Sequence, residues 1–239
     1  MGGGKWMKRL IIFLFLSTFL ASCNQSSLTI GCPDGAIEWV DLLKIDDVTY
    51  QHQFEDTPDE PLSAQIEKAE VIGKVTYKMA DNACSDHKMR NGDAAYLEKG
   101  TTVYAVRGYP SSLMVVANDK VYVADQKNDA KTIGDIYPIK GLVKEVHIES
   151  TDDGSRIHTF SHEAKEKFLN EWLLLEAIDP MEMYKEEAFE GNRIFLEIEL
   201  NNGVSFRELY WSDTNAFHRG AYGNKIIQQV INQETALIK

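Results

Sequence analysis

The sequence predicts an α+β fold: a β-rich amino-terminal lobe, formed as a small antiparallel sandwich or barrel, followed by a ββαββα sheet with two helices on one face. Short alternating runs recur about every ten residues before position 139, which is typical of small β-sheets. After it, two hairpin signals are each followed by apolar residues at helical spacing. The 239 residues are 44% hydrophobic and 26% charged, as in ordinary globular proteins.

Composition shifts divide the chain into four predicted segments. Residues 1–22 are predicted to be a signal peptide, and 23–35 a lipidated cysteine with a short polar tether. Residues 36–139 then form the β-rich domain, and residues 140–239 form the α+β domain.

The first segment has the pattern of a secretory signal. Lys5, Lys8 and Arg9 precede an apolar run over residues 10–20. Eleven helical residues rise only about 17 Å, which is too short for a hydrocarbon core of about 30 Å. A basic start and a short apolar run that ends in small residues indicate export, not a membrane span. Translation begins at Met1 or at Met7.

The signal ends in Leu20-Ala21-Ser22-Cys23, which resembles the lipobox of bacterial lipoproteins. The resemblance implies cleavage between Ser22 and Cys23. It also implies a covalent diacylglycerol and an acyl chain on Cys23 as the only non-protein groups. Because two or more acyl chains hold stably in a bilayer, the protein is expected on the outer face of the cytoplasmic membrane. The alternative is an ordinary cleaved signal with a chance cysteine.

A second resemblance covers about a quarter of the chain. It lies in Ile72–Val75, Asp81–Ala83, Gly92–Thr101 and Val103–Tyr109. These stretches are similar to a segment found in uncharacterised lipoproteins of Bacillus-like bacteria. That resemblance implies an extracytoplasmic lipoprotein and carries no known activity.

Two cysteines remain, Cys32 and Cys84, outside the cytoplasm where disulfides persist. A bridge between them closes a loop of about 53 residues and stabilises by roughly 4 kcal/mol on the chain-entropy model. Two free thiols or a metal pair are the alternatives. We favour the disulfide.

The β-rich lobe begins with a predicted hairpin at 39–50, which turns at Asp46-Asp47, although its first run also suits a helical turn. The acidic stretch 54–62 contains two prolines and predicts a loop. An alternating run predicts a strand at 71–79, and polar residues predict a loop at 80–92. Further short strands are predicted at Ala94–Leu97, Thr101–Arg107, Leu113–Ala117 and Val121–Ala124.

The α+β lobe contains two predicted hairpins, which turn at Asp153-Gly154 and Asn202-Gly203. Their strands are predicted at Leu142–Ile148, Arg156–Phe160, Ile194–Leu200 and Val204–Tyr210.

A helix follows each hairpin. Ser161 is a suitable N-cap for the first helix, and Asp179-Pro180 is predicted to end it. The second helix is predicted over about 224–233. The face of the first helix that packs on the sheet is predicted to carry Ala164, Phe168, Trp172 and Leu175.

Three histidines form a candidate zinc or copper site. His147 lies on the strand that partners His158, and His162 follows four residues after His158. Imidazole suits both metals. Histidines on a polar strand face are more often simply solvated.

The segment after the last predicted strand is a candidate ligand-binding loop. It combines turn-forming residues with aromatic and basic side chains of the kind that dominate binding hot spots. Its candidate residues are Tyr210, Trp211, Phe217, His218 and Arg219. The alternative is that Tyr210 belongs to the core and the remainder is a connecting loop.

The net charge of −12 excludes nucleic acid as a partner, because phosphate recognition needs clustered Lys and Arg. No nucleophile elbow, phosphate-binding glycine loop or zinc-protease motif occurs in the sequence. We therefore expect a non-enzymatic binding or interaction module, anchored to the bilayer through Cys23, whose partner is a cell-envelope protein, a peptide or a glycan. The runner-up is an extracytoplasmic metal-binding lipoprotein that uses the three histidines.

Overall fold

A computed structural model describes residues 39–52 and 66–238. The predicted α+β class is confirmed, since these residues form fourteen strands in two sheets and five helices. The strands are β1 (Leu42–Ile45), β2 (Val48–Gln51), β3 (Lys68–Lys74), β4 (Tyr77–Lys78), β5 (Asp93–Ala94), β6 (Thr102–Val106), β7 (Met114–Ala117), β8 (Lys120–Lys127), β9 (Val143–Glu149), β10 (Arg156–Thr159), β11 (Arg193–Leu200), β12 (Ser205–Trp211), β13 (Ala216–Phe217) and β14 (Ala221–Tyr222). The helices are α1 (Met79–Asn82), α2 (Ile133–Ile136), α3 (His162–Trp172), α4 (Pro180–Lys185) and α5 (Lys225–Thr235).

The first eight strands form a curled half-barrel in the order β3-β6-β7-β8-β2-β1-β5-β4. Its first hairpin turns at Asp46 and Asp47, whose φ angles are +49° and +61°. Positive φ at both central residues is the geometry of the two-residue hairpin turn, and Asp tolerates it. The predicted hairpin is therefore formed by β1 and β2 as antiparallel neighbours.

The strand predicted at 71–79 divides in two. Lys74 ends the pairing of β3 with β6. Thr76 then donates its backbone N–H to the carbonyl of Gly92 at 2.8 Å, and β4 runs parallel to β5. The residues alternate throughout, but the chain changes its hydrogen-bonding partner halfway.

The second sheet has the order β10-β9-β11-β12-β13-β14. Its first four strands and the helices α3 and α5 are the predicted ββαββα arrangement. Ser161 caps α3, since its Oγ accepts the backbone N–H of Ala164 at 3.2 Å. Asn224 caps α5 by accepting the N–H of Ile227 at 3.0 Å. The caps fix where each helix begins after its hairpin.

Asp179-Pro180 was predicted to end the first helix, and this is wrong. The helix ends at Trp172, because the chain beyond it bonds to α2: Gly134 donates its N–H to the carbonyl of Leu173 at 2.8 Å. Asp179 instead caps α4, accepting the N–H of Met181, with Pro180 in the first helical turn. Proline is favoured there because no intrahelical partner needs its missing N–H.

One apolar cluster joins the two sheets. It contains Tyr50, Val115 and Tyr122 from the half-barrel together with Phe168, Trp172 and further residues of the second sheet and its helices. The described residues 39–52, 66–83 and 87–238 accordingly belong to one compact unit.

Several predicted features lie outside the described residues: the signal peptide, Cys23 with its tether, the loop at 54–62, and Cys32 of the predicted Cys32–Cys84 disulfide. Within the described part, no helix combines the length and apolar character needed to cross a bilayer.

Candidate functional site

A cleft of about 1020 Å³ lies over the face of the second sheet that the helices leave uncovered. One wall is the β9–β10 turn at 151–154. The end of β2 and the segment after β13 supply further lining residues, Gln51, His52, His218 and Arg219. The floor is formed by Phe195, Glu197, Ser205, Arg207 and Leu209.

The pleat of β11 and β12 positions this floor. Phe195 pairs with Leu209, and Glu197 pairs with Arg207. Because side chains alternate along a strand, these residues share one face, while their neighbours Leu196 and Phe206 belong to the buried apolar cluster. One hairpin therefore supplies both the core and the cleft.

Phe195 provides an apolar centre between cations. The guanidinium of Arg207 lies 4.8 Å from the centroid of its ring, and that of Arg193 lies 4.9 Å away. Arg207 also forms an ion pair with Glu149 at 2.5 Å. The ring is thus held in place by charged groups that also limit its exposure.

Arg156 organises the acidic side chains beside the floor. It makes two hydrogen bonds to Glu197, at 2.6 and 2.8 Å, and a third contact to Glu199 at 2.9 Å. Lys144 lies 2.6 Å from Glu199. A bidentate arginine–carboxylate pair fixes both position and orientation.

Burial by itself would raise the pKa of Glu197 and of Glu199. Hydrogen bonds from Arg156 to Glu197, and from Lys144 and His147 to Glu199, outweigh that effect, so both pKa values are lowered. Both carboxylates are therefore ionised at neutral pH.

Within the half-barrel, the Nδ1 of His52, at the end of β2, lies 2.9 Å from the carbonyl oxygen of Val121. The segment after β13 connects the two sheets. Arg219, only 8% exposed, forms an ion pair with Asp125 of β8. Burial lowers the pKa of Arg219 to about 10, which still leaves it charged at neutral pH.

Glu208 lies on the opposite, helix-covered side of β12 and is fully buried. Its Oε1 accepts the backbone N–H of Leu209 at 3.0 Å. Burial raises the pKa of Glu208 to about 8, although backbone hydrogen bonds partly oppose it. This carboxyl is therefore largely protonated at pH 7.

Acidic groups outnumber basic ones along the cleft. Its lining contains Glu149, Asp152, Asp153 and Glu197 against Arg207 and Arg219. Both arginines, Glu149 and Glu197 are engaged in ion pairs. The excess negative charge of the lining is therefore that of Asp152 and Asp153. The cleft can therefore accept a positive charge more readily than a negative one.

The predicted ligand-binding loop is divided between core and cleft. Tyr210 and Phe217 are fully buried, and the hydroxyl of Tyr210 donates to Asn215 at 2.8 Å. Trp211 packs on Phe189, with 4.9 Å between ring centroids. His218 and Arg219 do line the cleft.

The three predicted metal ligands are not brought together. His147 lies opposite Thr159, and its Nδ1 is 2.8 Å from the hydroxyl of Thr159. His158 pairs instead with Ile148, and its Nε2 lies 2.6 Å from Glu234 of α5. No group of three or more potential metal-ligating residues occurs in the described ranges 39–52 and 66–238.

A β-bulge separates the histidines. Arg156 pairs with Glu149, but two residues later His158 pairs with Ile148, one position along β9. The extra residue reverses the alternation, so His147 and His158 point to opposite faces of the sheet. His147 and His158 therefore do not approach each other across the hairpin as predicted.

Four residues of the cleft were not predicted as site residues from the sequence: Glu149, Phe195, Glu197 and Arg207. The alternation of residues 193–200 and 205–211 places Phe195, Glu197 and Arg207 on one face, which was a usable signal. The pairing of β9 with β11, which brings Glu149 to Phe195, joins segments far apart in the chain and leaves no local signal.

No protein-family model matches the chain, and neither the curated proteins nor the solved structures include a significant match.

Proposed function

We propose that the protein is a binding module, held on the outer face of the bacterial cytoplasmic membrane by lipid on Cys23, and that its ligand enters the cleft over the second sheet. The observation that carries the binding part is the cleft itself, with its volume of about 1020 Å³. A concave site with an apolar centre and a few convergent polar groups is the usual form of a ligand site.

The charge of the lining suggests the ligand. Asp152 and Asp153 stand on the turn at the rim, while Phe195 and Leu209 lie on the floor. A ligand that combines a positive charge with an apolar or flat part fits both. A short basic peptide from the cell envelope has this chemistry.

The polar groups of the cleft favour a binding role over catalysis. Arg207, Arg219 and Glu197 are each committed to an ion pair. Groups held in this way are suited to orienting a ligand.

The test compares peptides of opposite charge. The full lipidated chain is placed in neutral phosphatidylcholine nanodiscs, and calorimetry measures the binding of the tripeptides Lys-Phe-Lys and Glu-Phe-Glu. We expect the basic tripeptide to bind more tightly. Asp152→Asn should weaken this binding about threefold, as expected for one exposed charge.

Asp129→Asn is the matched control, because it removes the same charge from an exposed turn after β8 and Asp129 does not line the cleft. It should leave the affinity unchanged. Equal affinities of the parent for the two tripeptides, or equal losses in the two variants, would reject the cleft as a site for cationic ligands.

The anchor is tested separately. Cys23→Ala removes the sulfur that carries the lipid, so the variant should lose the acyl chains from Cys23 that mass spectrometry finds on the parent. Ser26→Ala, in the predicted tether, should be lipidated like the parent. An intact parent protein without lipid would show that the lipobox resemblance is misleading.

A further inference from the structure

Beyond the cleft, exposed apolar side chains gather around α4. Leu174, Met181 and Tyr184 are 75%, 61% and 67% exposed, and Tyr222 and Ile226 are 39% and 36% exposed. We call these five residues the α4 patch. Large apolar side chains that are exposed together, not singly, mark interaction surfaces.

Hydrogen bonds hold the segments of the α4 patch side by side. The hydroxyl of Tyr222 donates to Glu186, at the end of α4, at 3.0 Å. Asn224 donates from Nδ2 to Glu171 at 2.7 Å, which brings the start of α5 to the end of α3. The end of α3, α4 and the start of α5 therefore form one surface.

The outward residues of α4 are not needed to hold the helix in place. Met183 is fully buried and packs with Ala188 and Ala216 in a small separate cluster. Met181 and Tyr184, three positions apart and so on one side of the helix, point away from it. Substitution of these two should change the surface without unfolding the helix.

Charge around the α4 patch is strongly one-sided. Between positions 176 and 190 the only basic residue is Lys185, and the exposed Lys225 at the start of α5 adds a second base to this surface. The same stretch contains the carboxylates Glu176, Asp179, Glu182, Glu186, Glu187 and Glu190.

The negative charge around the α4 patch distinguishes among the possible partners. A second copy would bring a second acidic surface against the first, and an anionic bilayer surface would also be repelled. A partner with basic residues around apolar ones is attracted and also buries the exposed side chains. We propose that the α4 patch is the docking surface for a basic, amphipathic segment of a protein partner, separate from the ligand cleft.

The test uses a synthetic amphipathic peptide made of leucine and lysine, labelled for fluorescence anisotropy. The full lipidated chain is held in phosphatidylcholine nanodiscs, and empty nanodiscs serve as the blank. Met181→Ser combined with Tyr184→Ser should weaken binding about tenfold, the effect of losing a small hot spot. The matched control, Val71→Ser with Ile157→Ser, removes two exposed apolar side chains elsewhere and should bind as the parent does.

The role of the local charge is tested with two variants that have the same net charge. Glu182→Gln with Glu190→Gln should weaken the peptide about threefold and reduce its salt dependence. Glu70→Gln with Glu163→Gln changes two exposed glutamates away from the α4 patch and should have a smaller effect.

The proposal is overturned if the parent does not bind the peptide, or if the Met181/Tyr184 variant binds it as tightly as the parent does. It is also overturned if the two glutamate variants weaken binding equally, since only net charge would then matter. Parent dimers that vanish in the Met181/Tyr184 variant would assign the surface to a second copy. Protection of Met181 from hydroxyl-radical labelling by phosphatidylglycerol nanodiscs alone would assign it to the membrane.

Discussion

On the helix-covered face of the second sheet, Leu196 and Phe206 are buried among other apolar side chains, whereas Phe195 and Leu209 on the opposite face stay partly exposed among ion pairs. The same two strands supply both faces. Stability resides mainly on the covered face, because apolar burial is the dominant favourable term in folding. The open face can therefore vary its charges to suit a ligand at little cost to the fold.

The largest effect is expected when a leucine is replaced on each face of the sheet. Leu196→Ala, on the covered face, should lower the free energy of unfolding by about 2–5 kcal/mol, since it leaves a cavity in a packed core. Leu209→Ala, on the open face, should lower it by about 1 kcal/mol, because a partly exposed side chain loses less burial. Urea denaturation monitored by tryptophan fluorescence measures both, and similar losses would contradict the contrast.

Glu208 breaks the pattern, because it is an acid on the covered face. The pKa of Glu208 is about 8 in the folded protein, above its value of about 4.5 in the unfolded chain. Its contribution to the free energy of unfolding is therefore fully present below about pH 4.5 and is lost as the pH rises through 8. Across this window the loss has a maximum slope of about 1.4 kcal/mol per pH unit. Glu208→Gln, which cannot ionise, should flatten the dependence in urea denaturation between pH 5 and 9.

Glu166→Gln is the control for that experiment, because Glu166 is exposed on α3. It should retain the pH dependence of the parent. A Glu208→Gln profile with the same slope as the parent would show that Glu208 is already ionised in the folded protein.

The smallest effect is expected on the open face. Arg156→Ala should cost about 1 kcal/mol, because the arginine is half exposed and its ion pairs are partly screened. Glu197 and Glu199 have lowered pKa values, so their contribution is present above their unfolded pKa and lost as the pH falls through the folded one. Parent and variant should therefore converge in acid and in high salt.

Arg107→Ala, which breaks the exposed pair between Arg107 and Glu67, provides the comparison and should have almost no effect. A loss at Arg156 as large as that at Leu196 would mean that the open face is also a structural core.

Local signals were enough to predict the hairpins at Asp46-Asp47 and Asn202-Gly203 and the starts of α3 and α5. Asp46-Asp47, Asn202-Gly203, Ser161 and Asn224 each act through their own backbone or a neighbour's, so a single stretch of chain contains the whole cause. Asp179-Pro180 shows the limit of such signals. Proline is as suitable for beginning a helix as for ending one, and the choice depended on the bond between Gly134 and Leu173, which is not local.

The cleft depended on pairings across long stretches of chain. Glu149 reaches Arg207, and Arg219 reaches Asp125, only because β9 lies against β11 and the two sheets share a core. Alternation reveals which residues share a face of one strand, but not which strands are neighbours. The acidic character around α4, in contrast, is visible directly in the sequence.

The bulge between Arg156 and His158 has an evolutionary consequence. Loss of the single codon for Ile157, an exposed residue, would remove the extra residue and leave His158 opposite Ile148, because the residue after Arg156 then pairs with the residue before Glu149 in a regular antiparallel ladder. The bond between His158 and Glu234 of α5 would be kept. Position 157 can therefore lose a residue without turning the following side chains of β10 to the other face of the sheet.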